Sequence, residues 1–179
     1  MSFLLKVTAG ALLTATFSMS AQAQTLKSAI SQEIISNVKF LNLESEKTFI
    51  QDSEYLDDEP MVFDFNDQNI VMNDINADGI NDAIALLFYC EKTSCHGTTH
   101  SSDLVVFKGL GKNQFKRLGS VPLGVNAKIN NVNKGVINLT SYEYGDDDPG
   151  CCATKETKRN FKIKNNQLVE VGYLNRISN

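Results

Sequence analysis

Side-chain oxygens recur at every second position in Asp74-Ile75-Asn76-Ala77-Asp78-Gly79-Ile80-Asn81-Asp82, with a glycine in the sixth place. A hard divalent cation such as calcium takes roughly six to eight oxygen ligands, and a tight loop offers them at this alternation. Asp74, Asn76, Asp78 and Asp82 supply side-chain oxygens, Ile80 its backbone carbonyl, and Gly79 permits the sharp turn. The spacing therefore predicts one calcium ion. The competing reading is an Asn/Asp-rich turn whose side chains cap backbone amides. A second set of reactive side chains is Cys90, Cys95, His96 and His100, and a third is Asp146, Asp147 and Asp148 followed by Cys151 and Cys152.

The first positions of the loop match the EF-hand pattern, but the twelfth is Ala85 where that loop needs a bidentate glutamate. The residues after it read as a strand. The loop is similar to the shorter D-x-[DN]-x-D-G-x-x-D loops of integrin-type and related bacterial β-repeats. One copy is present, which does not make a propeller. Without the twelfth-position ligand the expected affinity is that of extracellular modules, roughly 10⁻⁴ to 10⁻³ M.

The start of the chain reads as an export signal. Lys6 is the only early charge, an apolar run covers residues 7–17, and Ala21-Gln22-Ala23 is a small-x-small cleavage pattern. The run is shorter than the ~20 apolar residues that span a bilayer. The expected organisation is a signal peptide over 1–23, an N-terminal helix and acidic arm over 24–60, and a single β-rich domain over 61–179. A periplasmic or secreted location follows, with no membrane insertion after cleavage. Losing Lys6 moves the formal charge from −4 to −5, which disfavours nucleic acid as a partner. In an oxidising compartment the four cysteines are expected to pair. Their connectivity stays open among three arrangements. Because a bond between adjacent cysteines strains the intervening peptide, at least one bridge from the 90–95 segment to 151–152 is expected. The alternative is Cys90 to Cys95, with Cys151 and Cys152 as a vicinal pair. A zinc set of Cys90, Cys95, His96 and His100 is the lesser reading, since exported thiols oxidise and the adjacent Cys95 and His96 are awkward joint ligands.

The elements that must position these residues are mostly strands. Leu26, Ile30 and Ile34 predict a short helix over 26–36, and the acidic stretch 44–60 reads as a solvated strand pair or loop. Short strands are expected at 61–65 and 69–72. The nearly all-apolar run 83–90 reads as a central strand covered on both faces. Further strands are expected at 103–108, 114–121, 128–131, 135–144 and 157–164, with a final one carrying Val169 and Val171. Hairpin loops are read at 109–113 and 132–134, and a tight turn at Asn165-Asn166. Lys155, Lys158, Arg159, Lys162 and Lys164 are read along one exposed strand face. The fold class is mainly β, with α+β possible: an antiparallel meander sheet or small sandwich with a short N-terminal helix.

The segment Asp147-Asp148-Pro149-Gly150-Cys151-Cys152, preceded by a single DxNxDG loop and a signal peptide, resembles the LppP/LprE lipoprotein family over roughly residues 70–172. The chain lacks that family's lipid-attachment cysteine and has Ala153 where a proline usually follows. The resemblance implies an exported bacterial protein and carries no agreed activity. No G-x-S-x-G, H-E-x-x-H or Gly-rich phosphate loop is present, and no catalytic residue is proposed. The expected function is an envelope binding module, stabilised by calcium and disulfides, acting on a protein or cell-wall partner. The alternative is a periplasmic inhibitor or immunity-type protein that blocks a secreted toxic enzyme.

Overall fold

The computed structural model describes residues 23–51, 59–95, 100–149 and 152–172. The signal-peptide segment, apart from Ala23, lies outside the described residues, as do His96 and Cys151. The chain runs α1 (Leu26–Gln51), β1 (Phe63–Asn73), β2 (Asp82–Glu91), β3 (His100–Gly111), β4 (Gln114–Gly124), β5 (Asn126–Asn133), β6 (Val136–Glu143), β7 (Lys155–Lys164) and β8 (Gln167–Glu170). The strands form two four-stranded antiparallel meanders, β1-β2-β3-β4 and β5-β6-β7-β8. The expected mainly β meander is thus a two-sheet sandwich, with α1 laid on the outer face of the first sheet.

The apolar run of β2 is explained by three layers. Ile84 and Leu86 join Leu104 and Val106 of β3 in a core shared with Ile137, Leu139 and Phe161 of the second sheet. Ala83, Ala85, Leu87 and Tyr89 point the other way, with Val105 and Phe107, onto Ala29 and Ile30 of α1. Side chains alternate across a strand, so a strand covered on both faces needs apolar residues at every position. At ~25 cal/mol per Å² of apolar surface, these two layers are the dominant stabilising term.

Three expectations change. The helix continues to Gln51, into the first part of the 44–60 stretch expected as an acidic strand pair or loop, of which residues 52–58 lie outside the described residues. Val38 and Leu41 extend the apolar stripe of Leu26, Ile30 and Ile34 and pack on the same cluster. Asn42 then pins the helix to the first strand, donating to Phe63 O at 3.2 Å and accepting Phe63 N–H at 2.6 Å. The two short strands expected at 61–65 and 69–72 are one strand interrupted by a bulge between Phe65 and Asp67. The basic residues of β7 do not share one exposed face. Arg159 sits over the Phe161 ring, 5.1 Å from its centroid, and forms a bidentate pair with Glu170 at 2.8 Å.

Turn chemistry follows the residues. Asn165 and Asn166 take φ of 51° and 59°, and Lys112 and Asn113 take 50° and 58°, the double positive φ of a two-residue hairpin turn. No helix among the described residues is long and apolar enough to cross a membrane.

Candidate functional site

Both chemically loaded segments hang from β2, which the Asp-rich loop enters at Asp82 and the cysteine segment leaves at Cys90. About 26 Å of strand separates them.

At the first end, residues 74–82 fold into nested Asx turns. Asp74 accepts the Asp78 and Gly79 amides at 3.1 and 2.8 Å. Asn76 accepts Asp78 N–H at 2.9 Å, and Asp78 accepts Ile80 N–H at 3.0 Å. Gly79 has φ 82°, as its place in the motif requires, and Ala77 also lies in the left-handed region at 59°. The second carboxylate oxygen of Asp78 meets Lys108 Nζ at 3.1 Å. That hydrogen bond holds the Asp78 carboxyl below the usual carboxylate range. Asp82 turns inward. It is fully buried, with Oδ1 accepting Gly109 N–H at 2.9 Å and Oδ2 accepting Ile75 N–H at 3.2 Å. Burial pushes its carboxyl up, against those two hydrogen bonds and with the repulsion of Asp78 and Asp74 added.

The loop is also fitted tightly to its neighbours. A Cβ on Gly109 would stand 2.2 Å from Asn81 O, and one on Gly135, whose φ is 72°, would stand 2.5 Å from Ile75 O. As a donor set for calcium, Asp74, Asn76 and Asp78 fit in part: their oxygens already accept amides but keep further lone pairs. Asp82 does not fit, because both its oxygens are buried and engaged. Ile80 donates its amide to Asp78 and is half-buried beside Gly109.

At the other end, Cys90 and Cys95 are bonded to each other. Neither can therefore reach Cys151 or Cys152, and the expected covalent bridge between the two loops is not formed. The reason is proximity. Cys90 is the penultimate residue of β2, four residues separate it from Cys95, and the Cα atoms come within 5.3 Å, inside the range that a disulfide spans. Cys152 is also disulfide-bonded. Cys152 and His100 of β3 line one open cleft of about 360 Å³, together with Val125, Asn126, Tyr142, Tyr144 and Ala153.

Asp148 shapes that rim. It accepts the Gly145 and Thr154 amides at 2.9 and 2.7 Å, and these bonds hold its carboxyl below the usual range. Asp148 is thus a loop brace. Its neighbours Asp146 and Asp147 are exposed. His100 is placed by the ladder: it is the cross-strand partner of Cys90, and its Nε2 lies 3.2 Å from Cys95 Sγ. Among the described residues, Cys90, Cys95 and His100 are the single group of three or more His, Cys, Asp or Glu whose ligand atoms all lie within 4.8 Å of one another. Asp74, Asp78 and Asp82 do not form such a group.

A polar cluster beneath α1 was not legible in the sequence. Arg117 donates twice to Glu33, at 2.6 and 2.9 Å, and Asn37 donates to Tyr89 Oη at 3.0 Å and to Asp103 Oδ2 at 2.7 Å. Burial, reinforced by Glu33, pushes the Asp103 carboxyl up to about 6, and burial also raises the Tyr89 phenol. Every member has a partner, so the cluster reads as a polar clamp between helix and sheet. Its only sequence signal is Glu33 and Asn37 at i and i+4 on the helix face that carries Ile30 and Ile34.

No family model, curated protein or solved structure matches the chain.

Proposed function

We propose that the protein is an exported binding module of the bacterial envelope, without catalysis of its own, that engages a protein or cell-wall partner at the open end of the sandwich. The observation that supports this reading is the cleft between the two sheets at His100, Tyr142, Tyr144 and Cys152. Its volume falls in the ~300–1,000 Å³ range of ligand sites. Two tyrosines on a disulfide-closed rim supply rigid contact area at a small entropic cost. The disulfides agree with an oxidising compartment, as does the sequence's resemblance to the LppP/LprE family.

Calcium enters the proposal as a stabiliser of the far end. Asp74, Asn76, Asp78 and the Ile80 carbonyl would hold it, and the ion would replace Lys108 as the counter-charge of Asp78.

The test is retention of envelope proteins or cell-wall fragments on immobilised mature protein. The double variant Tyr142→Ala/Tyr144→Ala is compared with Phe40→Ala/Ile50→Ala on the exposed helix face. Retention lost in the first and kept in the second supports the cleft. Loss in the helix variant alone moves the docking face to α1 and overturns this reading. A retained secreted enzyme that loses activity on binding would identify the inhibitory role.

A further inference from the structure

The fold brings two cystine sulfurs and an imidazole to one point, and partner docking in the cleft does not use that chemistry. We propose that, once the Cys90–Cys95 bond is reduced, Cys90 Sγ, Cys95 Sγ and His100 Nε2 bind one zinc ion, so that this corner alternates between a cystine and a metal thiolate.

The placement is built by the sheet. Cys90 and His100 face each other across the β2–β3 ladder, which sets their Cβ atoms ~4.5–5.5 Å apart on one face. Cys95 folds back on both from the exposed end of the 92–95 segment. All three ligand atoms lie within 4.8 Å of one another. Around one tetrahedral zinc, with bonds of ~2.0–2.3 Å, they would stand about 3.5–3.8 Å apart. The two sulfurs must separate, which breaking their bond permits, and Cys95, exposed and outside the strands, can adjust its distance to His100, now 3.2 Å, without moving a strand.

Two thiolates and an imidazole select a borderline-soft cation such as zinc over calcium or magnesium. Cys90, 4% exposed, shields one side. His100 belongs also to the cleft, so the fourth coordination position of an ion held here opens towards it, the three-ligand arrangement of a Cys₂His site.

The redox step requires a dithiol. One of its thiolates attacks the exposed Cys95 Sγ, the S–S bond breaks, and Cys90 leaves as a thiolate and takes a proton. The second thiol of the donor then attacks the mixed disulfide, freeing Cys95 and leaving the donor oxidised. Two electrons and two protons have passed to the protein. Zinc binding expels the two thiol protons. Bound zinc and the disulfide exclude each other because both need the same sulfurs.

The experiment uses the mature chain carrying Cys151→Ser and Cys152→Ser, so that Cys90 and Cys95 are its only thiols. It is prepared oxidised and phosphine-reduced, and titrated with Zn²⁺ against a chromophoric chelator. The reduced form is expected to bind one zinc per chain and the oxidised form none. Co²⁺ in place of zinc should give a thiolate charge-transfer band. His100→Ala should weaken binding by at least the ~10–100-fold typical of losing even a second-shell partner, whereas Asp78→Ala should leave it unchanged. In the parent itself, the His100 imidazole resonances must shift on zinc addition, a readout that does not depend on the variant folding. Equal zinc affinity in the oxidised and reduced forms overturns the proposal. So does a reduced protein in which zinc binds while the His100 resonances stay in place.

Discussion

The two ends of β2 differ in what their polar atoms are already doing. At the Asp82 end, the carboxylates that look like ligands are engaged by backbone amides. Asp82, the residue nearest the core, is the most committed, with one oxygen on Ile75 and the other on Gly109. At the Cys90 end, His100 lies against Cys95 and shares the lining of an open cleft with Cys152 and two tyrosines. A buried polar atom is stable only when its hydrogen bonds are satisfied. The inward side of the acidic loop has therefore become architecture. The cysteine end closes its own loop with a local bond and keeps its imidazole and phenol groups at a rim.

The sharpest way to break this comparison is at Asp82. Asp82→Ala strands two buried amide donors, those of Ile75 and Gly109, and is expected to cost about 3 kcal/mol. Asp78→Ala removes an exposed acceptor and should cost less than about 1 kcal/mol. Urea denaturation of both variants measures the gap, and equal midpoints would mean that the loop is not built into the fold.

Next is the other end. The double variant Cys90→Ser/Cys95→Ser loses a short loop closure, which the chain-entropy relation sets at about 2 kcal/mol. Its β-sheet circular dichroism should be unchanged, because both cores are separate from the bond. A variant that unfolds would make the cystine a structural keystone and remove the contrast between the ends.

Calcium sharpens the comparison further. At ten times Kd it should add about 1.4 kcal/mol through the folded state alone, read as a rise of a few degrees in Tm. Asp78→Ala should abolish the increment, and Asp146→Ala should not. A wild-type melting curve indifferent to 10 mM calcium, about ten times the weakest Kd expected, leaves the loop as a set of amide caps.

The smallest effect belongs to neither end. Asp103 has its folded pKa raised to about 6, above the unfolded value near 4. The native state therefore binds the extra proton, and this contribution to stability is fully present below about pH 4 and lost as pH rises through 6. Asp103→Asn should flatten that window and raise stability at pH 7 by roughly 1 kcal/mol, a figure discounted for the partial exposure of the site. Tm measured from pH 4 to 8 in both proteins checks the sign.

Several of these features could be read from local pattern alone. Eight nearly continuous apolar residues from 83 to 90 imply a strand covered on both sides. Asn165-Asn166 implies a turn with two positive φ values. In each case the decisive neighbours are one or two residues away, and the chain carries that information in order. The full length of the helix is not legible locally, because the acidic residues after Leu41 mask the stripe that Val38 and Leu41 continue, and because the reach of Asn42 to Phe63 is a tertiary contact.

What the sequence by itself determined is the strand succession, the turn chemistry, the sixth-position glycine of the acidic loop and the apolar doubling of the central strand, since each depends on backbone sterics and on which side chains share a face. Only the tertiary structure decided which way Asp82 points, which cysteine Cys90 finds, and that Glu33 meets Arg117 and Asn37 meets Asp103. Gly109 shows the reason. It looks like one more hairpin glycine, yet it is required because Asn81 O would lie 2.2 Å from any Cβ placed there. Burial, pairing and close approach are set by distances between segments far apart in the chain, and no local periodicity encodes those distances.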